Sequence, residues 1–219
     1  MGNNKIFSKI NIQKIFNAFK NKKVIWILLF TLYSIFTFEL FNRPFGNVRN
    51  IKIAFDDMIP MIKELIIVYH TFAVMIVLIG VLLLIENEKE YKKFVIALFA
   101  SQTIAYVIYI NFQTFVPRYD TNLLGDDIFS NLVKITYSVD NSYSGAPSLH
   151  VAHMLLSIFY FSKLKYRRSS KILMISYLAL IALTTVLVKQ HVVLDIVAGM
   201  VHATIIYFLV EYFSKKLIK

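Results

Sequence analysis

The sequence predicts an all-α fold: a polytopic membrane bundle of six transmembrane helices with both termini in the cytoplasm. Three observations support this. The 219 residues are 58% hydrophobic with a mean hydropathy of +0.62, too apolar for an ordinary soluble domain. The apolar residues gather in long runs, several of them close to the roughly 17–25 residues that cross about 30 Å of hydrocarbon. The Lys and Arg residues cluster at alternate ends of those runs.

Residues 1–23 mix six lysines with Phe7, Ile10, Ile15, Phe16 and Phe19, the pattern of a basic amphipathic segment lying on the inner leaflet beside the membrane. Residues 24–219 then read as a single membrane domain. Its first span is 24–42, kept as a span because no small-residue cleavage site follows it. The next two are 60–85 and 94–116. A polar loop from Pro117 to Pro147 leads to spans at 148–164, 171–189 and 192–213. The fourth is the shortest and is polar at its start.

Seventeen of the 24 Lys and Arg residues flank these spans on one side, which the positive-inside rule makes the cytoplasmic side. The net charge of +11 is therefore a topology signal, and its juxtamembrane clusters suit anionic lipid rather than nucleic acid. Cysteine is absent, which excludes disulfides, a thiolate nucleophile and Cys-based metal sites. There is no internal repeat and no low-complexity linker.

The opposite, outer side carries few polar residues, and they converge. The long loop delivers Arg118 at one end and Ser148 with His150 at the other. Spans four and five form a hairpin that returns His191 to the level of His150, with Asp195 four residues further on the same helical face. Each residue has a plain structural reading. Ser148 can cap a helix, Arg118 and Lys189 can snorkel, and His70 and His202 can serve as buried hydrogen-bonding partners. Jointly, an ionisable Asp paired with a His inside an apolar helix, faced by a second His and two cations, is costly without a function.

These groups suit phosphoryl transfer. His191 is the candidate nucleophile, with Asp195 fixing its tautomer and stabilising the positive ring. His150 is the candidate acid for the leaving oxygen. Arg118 and Lys189, with the Ser148 hydroxyl and the free N–H groups at the start of span four, are the candidate ligands of the phosphoryl oxygens. No cofactor or metal is expected, since the two cations supply the positive charge; a metal site on His150, His153, His191 and Asp195 is the weaker variant.

At these residues the chain resembles the type 2 phosphatidic acid phosphatases, whose active-site plan is shared with vanadium haloperoxidases. The family has a basic segment ending in Arg-Pro, a Pro-Ser-Gly-His piece, and a Ser-Arg piece followed by His and, four residues on, Asp. Here the second piece reads Pro147, Ser148, Leu149, His150, and the third ends in KQHVVLD with His191 and Asp195. The first is FQTFVPRYD, in which Arg118 fits, Tyr119 replaces proline and Asn111 stands at the distant lysine position. Thr184 and Thr185 stand at the Ser-Arg positions. Leu149 and the KQH approach are similar to the branch that includes inositol phosphorylceramide synthases and their bacterial relatives.

The resemblance spans about residues 60–213 and implies a bacterial-type cell membrane, an extracytoplasmic site and a lipid phosphate substrate. Membrane lipids are expected partners, nucleic acid is not, and a homo-oligomer stays open. Three functions remain at this stage. One is a phosphatase acting on a lipid phosphate or polyprenyl diphosphate through a phosphohistidine. Another is a head-group phosphotransferase, and the third is a non-catalytic membrane protein that uses the polar cluster as structural glue.

Overall fold

The computed structural model describes residues 20–217 together with residues 13, 17 and 18, so most of the basic segment 1–23 lies outside the described residues. From the site's point of view, the centre of the fold is the helix that carries the Pro-Ser-Leu-His piece. This helix packs against four others and forms the axis of an all-α membrane bundle.

Helix α1 (Ile25–Phe41) follows a short turn capped by the Asn21 side chain, which accepts from Lys23 N at 3.0 Å. It is apolar on every face, as a helix in lipid should be; Leu32 and Phe36 are 63% and 69% exposed. A two-residue strand β1 (Arg49–Asn50) and the short helix α2 (Ala54–Met58) follow. The second apolar run forms α3 (Ile66–His70) and α4 (Phe72–Glu86), divided at Thr71, whose hydroxyl donates to the Val68 carbonyl at 2.7 Å.

Helix α5 (Glu88–Asn111) starts six residues before the expected span and ends five residues before it. Its charged first turns are helical because Asn87 caps them, accepting from Glu90 N, and because Lys93 and Glu90 pair at 2.9 Å. At the other end, residues 112–116, with apolar Phe112, Phe115 and Val116, lie outside the helix. They include β2 (Thr114–Phe115), which pairs in parallel with β1 in the register Arg49 to Thr114. Hydropathy alone could not separate these residues from the helix.

The expected polar loop contains a further helix, α6 (Ile128–Val139), started by the Asp127 carboxylate, which accepts from Phe129 N and Ser130 N. Helix α7 (Leu149–Ser162) has 14 residues, about 21 Å at ~1.5 Å per residue, and is shorter than the bilayer core. It is also the most enclosed helix, with Ala152, Met154, Leu156 and Tyr160 fully buried. Helices α8 (Arg168–Leu187) and α9 (Val193–Leu217) complete the bundle. Among the described residues, five helical segments are long and apolar enough to cross a membrane: those over 22–41, 63–86, 88–111, 168–187 and 193–215.

Helices α1 and α4 touch at Gly80, where a Cβ would lie 2.9 Å from Ile27 Cγ1. Towards their opposite ends, Ile35 and Phe38 of α1 and Ala73 of α4 line a shared cavity instead. This splaying opens the bundle at the end that holds the candidate site.

Candidate active site

The nucleophile candidate is held in a tight loop between α8 and α9. Thr184 and Thr185, at the Ser-Arg positions of the resemblance, are buried in the last turn of α8. The Thr185 carbonyl accepts from both Gln190 N (2.8 Å) and His191 N (3.0 Å), and Lys189 reverses the chain in the left-handed region at φ 54°. Helix α9 begins only at Val193, so His191 precedes it and does not share its face by helical periodicity. The pairing with Asp195 is instead a capping arrangement. One carboxylate oxygen, Oδ2, accepts from Val192 N at 3.0 Å and from His191 Nδ1 at 3.2 Å, and Asp195 is fully buried.

The second histidine is brought up by the 144–150 segment. Tyr109 of α5 donates its hydroxyl to the Pro147 carbonyl at 2.6 Å, Ala146 N donates to Thr114 Oγ1 at 2.7 Å, and Ser148 N donates to the Asp195 carbonyl at 3.1 Å. Gly145 is required by closeness, because a Cβ there would meet both Asp195 carboxylate oxygens and Val116 Cγ2 at 2.8–2.9 Å. Gly199 likewise lets α9 approach the head of α7, where a Cβ would sit 2.7 Å from the Ser148 carbonyl. His150 then lies with its ring centre 5.7 Å from that of His191, between Phe72 at 4.4 Å and Tyr69 at 4.9 Å.

Arg118 completes the group. Its Nη1 donates to the Gln190 side-chain oxygen, its Nη2 donates to the Asp140 and Asn141 carbonyls (both 3.1 Å), and the guanidinium stacks over Tyr137 at 5.0 Å. The Asp140 carboxylate is 3.6 Å from Nη2 and accepts from the Asn42 amide at 2.9 Å. Burial raises the Asp140 carboxyl above its ordinary value, with the Arg118 charge, His191 and the Asn42 amide pulling the other way.

His150, His191 and Arg118 all line a cavity of about 790 Å³ that runs down between α1, α4, α5 and α7. Five of the residues that line it each carry one buried side-chain atom without a hydrogen-bond partner: Arg118 Nε, Gln190 Nε2, Asn42 Oδ1, Gln102 Oε1 and His153 Nε2. Arg118 and His191 also border a smaller cavity of about 330 Å³, with Lys52, Asp57 and Lys189.

Two sequence candidates stand apart from the larger cavity. The Lys189 ammonium donates to the carbonyls of Asp56 (2.9 Å) and Ile59 (2.5 Å) in the smaller cavity. Ser148 is fully buried as the N-cap of α7, its hydroxyl oxygen accepting from Val151 N at 3.4 Å. His70 pairs with Thr136 Oγ1 at 3.0 Å, and His202 Nε2 donates to the Ser101 carbonyl at 2.9 Å. Among the described residues, no three His, Asp or Glu side chains converge so as to hold an ion.

Sequence reasoning missed Gln190, Asp140, Asn42 and Asp56. Gln190 is uncharged and lies between the more conspicuous Lys189 and His191. Asp140 was the one with a signal, as an acidic residue in the loop that also supplies Arg118.

A buried His-Asp pair, a second histidine and an arginine thus border one cavity in an integral membrane helix bundle. A model of the PAP2 superfamily matches residues 53–209, and the chain belongs to that superfamily. Membership brings phosphatase or phosphotransferase-type chemistry. No curated protein and no solved structure matches the chain.

Proposed function

We propose that the protein is a membrane lipid phosphatase, hydrolysing a lipid phosphate or polyprenyl diphosphate at the extracytoplasmic face of a bacterial-type cell membrane. The observation that carries this reading is the 3.2 Å contact between His191 Nδ1 and Asp195 Oδ2 at the wall of a cavity shared with His150 and Arg118. The charge asymmetry of the sequence supports the assignment of the face and of cytoplasmic termini.

With Nδ1–H donated to Asp195, the lone pair of His191 sits on Nε2. That nitrogen attacks phosphorus; the bond to the leaving oxygen breaks, and His150 gives that oxygen a proton. Asp195 balances the positive phosphohistidine ring. Neutral His150 then takes a proton from water as its oxygen attacks phosphorus. The P–N bond breaks, its electron pair returns to His191, and phosphate leaves. Arg118 neutralises the phosphoryl oxygens throughout. Lys189, held by the 53–62 segment, acts through the geometry of the loop and its field rather than by touching the phosphoryl group.

The test is a panel of radiolabelled lipid phosphates and polyprenyl phosphates given to the purified full chain, with label followed into inorganic phosphate or a new lipid. Release of phosphate that His191→Ala abolishes supports the phosphatase. Label that moves only into an added alcohol or polyol would replace it with a phosphotransferase, and no turnover of any donor would overturn both.

A further inference from the structure

Helix α6 buries two of its hydroxyls and exposes its aliphatic side chains. Ser130 and Thr136 are buried against the bundle, whereas Ile128, Ile135 and Val139 are 69%, 59% and 72% exposed. Their spacing puts those three on one helical face. Two polar side chains of the exposed surface reach back along the helix instead of covering that face. Lys134 Nζ donates to the Gly125 carbonyl at 2.8 Å and to the Asp126 carboxylate at 3.1 Å, and Asn131 Nδ2 donates to the Asp126 carbonyl at 3.3 Å. The Asp126 side chain is 97% exposed, so the lysine carries its charge to the wet end of the helix, as a snorkelling lysine does.

The helix is fastened at three points to the ends of membrane spans. At its head, Lys63, the first residue of the 63–86 span, donates to the Ser130 hydroxyl at 2.9 Å and pairs with Asp127. In its middle, Thr136 pairs with His70, which lies about 10 Å along that span at ~1.5 Å per residue. Just past its last residue, Asp140 accepts from the amide of Asn42, the residue after α1, and Asn141 Nδ2 donates to the Asn42 carbonyl, both at 2.9 Å. Helix α6 is therefore held at the depth where two spans leave the hydrocarbon. Its exposed row continues the lipid-facing flank of α1, since Val139 borders the larger cavity together with Ile35 and Phe38. A row of three aliphatic side chains falls short of the roughly 800 Å² per partner of a specific protein contact. It suits an amphipathic helix sunk about 5–10 Å into the boundary of head groups and acyl chains.

We infer that α6 is an interfacial helix whose Ile128, Ile135 and Val139 lie among the acyl chains of the leaflet at the site end of the bundle, and that this lipid contact steadies the cradle of Arg118. Tyr137, whose ring underlies the guanidinium, belongs to the helix, and Asp140 and Asn141, whose carbonyls hold Nη2, follow it directly. The lipid contact is independent of the reaction, while its effect on turnover rests on the phosphatase reading.

The experiment uses the single tryptophan of the chain, Trp26. In a Trp26→Phe background, Ile128→Trp, Ile135→Trp and, in the exposed loop before the helix, Asn122→Trp are each reconstituted as full chains in phosphatidylcholine vesicles. Quenching by lipid brominated near the head of the acyl chain is compared with quenching by iodide present on both sides of the membrane. Brominated lipid should quench the two α6 tryptophans several-fold more than iodide does, and Asn122→Trp should show the reverse. Quenching of the α6 positions by iodide alone would place the face in water, and shielding from both quenchers would place it against a second copy of the chain; either result overturns the interfacial helix. For the second half, Ile128→Gln combined with Ile135→Gln adds no charge beside Arg118 and keeps good helix formers. In vesicles this pair should lower kcat/KM for one lipid phosphate about tenfold, the scale of one hydrogen bond to a charged group, with unfolding in detergent near wild type. Wild-type turnover in the pair would overturn the link to Arg118. If the wild-type chain turns over no donor, the phosphatase reading falls while the quenching still decides where α6 lies.

Discussion

Arg118 Nη1 donates to the side-chain oxygen of Gln190, with the Lys189 carbonyl at 3.4 Å, so the two residues that precede the nucleophile candidate hold the arginine at the cavity. The guanidinium is thereby oriented from three sides, by the Lys189–Gln190 pair, by the Asp140 and Asn141 carbonyls and by the Tyr137 ring, while Nε is buried without a protein partner.

Gln190→Leu should therefore lower kcat/KM by about 10–100-fold, the scale of one hydrogen bond to a charged group. Arg118→Ala should cost more, about 10²–10³-fold, and Arg118→Lys should recover little because an ammonium cannot make the planar contacts. Steady-state kinetics on one lipid phosphate would check the order. A Gln190→Leu enzyme as fast as wild type would show that the contact does not position the arginine.

Asp140 makes the site sensitive to pH. Its carboxyl is raised by burial and faces Arg118, His191 and the Asn42 amide. The protonated form is thus favoured in the folded protein: that contribution to stability is complete below the ordinary carboxylate range and is lost as pH rises through the raised value. Above that value the ionised Asp140 competes with a phosphate for Arg118. KM for the lipid phosphate should accordingly rise with pH over the acidic range, and Asp140→Asn should flatten that limb while leaving the titration of the substrate itself. Parallel profiles in the two proteins would remove Asp140 from the account.

Much of the architecture was legible because lipid imposes one rule, that long apolar runs be helical, and the boundaries of α1, α8 and α9 fall within a few residues of the hydropathy limits except at the C-terminal end of α9. The rule failed where an apolar segment found partners outside a helix, as Thr114 and Phe115 did by pairing with Arg49 and Asn50. It also failed for α6, whose amphipathic pattern sat inside a stretch too polar to cross a membrane. Within the site, the motif spacing brought His150, His191, Asp195 and Arg118 together on the page as they are in space. It misjudged Lys189 and Ser148 because sequence places a residue at a level but not the direction of its side chain. Lys189 turns with its left-handed backbone towards Asp56 and Ile59. Asp56, Asn42 and Gln190 were silent because their importance comes from contacts with residues far along the chain or from a neutral amide.

The segment around Asp56 should matter to catalysis without touching substrate. Asp56 Oδ1 accepts from Val193 N at 2.8 Å and Oδ2 from Ile53 N at 2.9 Å, while its carbonyl and that of Ile59 accept from Lys189. It thus caps α9 from outside and anchors both sides of His191. Asp56→Ala strands two N–H groups and should cost about 1–3 kcal/mol of stability, with kcat falling and KM less affected as the loop loosens. Asp56→Asn, which keeps one acceptor, should recover part of kcat. Thermal unfolding together with the kcat and KM of both variants would decide it; normal kcat in a destabilised Asp56→Ala protein would leave the segment a purely structural role.

At the other end of the bundle, Lys93, Lys163, Glu90 and Glu211 form a closed quartet. Lys93 lies 2.9 Å from Glu90 and 3.0 Å from Glu211, and Lys163 lies 2.7 Å from each, so two cations alternate with two anions across α5, α9 and the end of α7. Lys163 also sits over the Tyr160 and Tyr207 rings at 4.9 and 5.0 Å. With the four side chains between 7% and 25% exposed, the quartet is costly to break singly and cheap to remove in balanced pairs. Lys163→Met should leave two carboxylates competing for one ammonium and lose about 3–5 kcal/mol. Adding Glu211→Leu restores neutrality and should return a good part of that loss, a coupling readable in a double-mutant cycle of thermal or denaturant unfolding. Because the quartet lies a full helix length from His191, turnover per folded molecule should stay near wild type in both variants. Additive losses in the cycle would mean that the four charges act separately and that the helices are held by their apolar contacts alone.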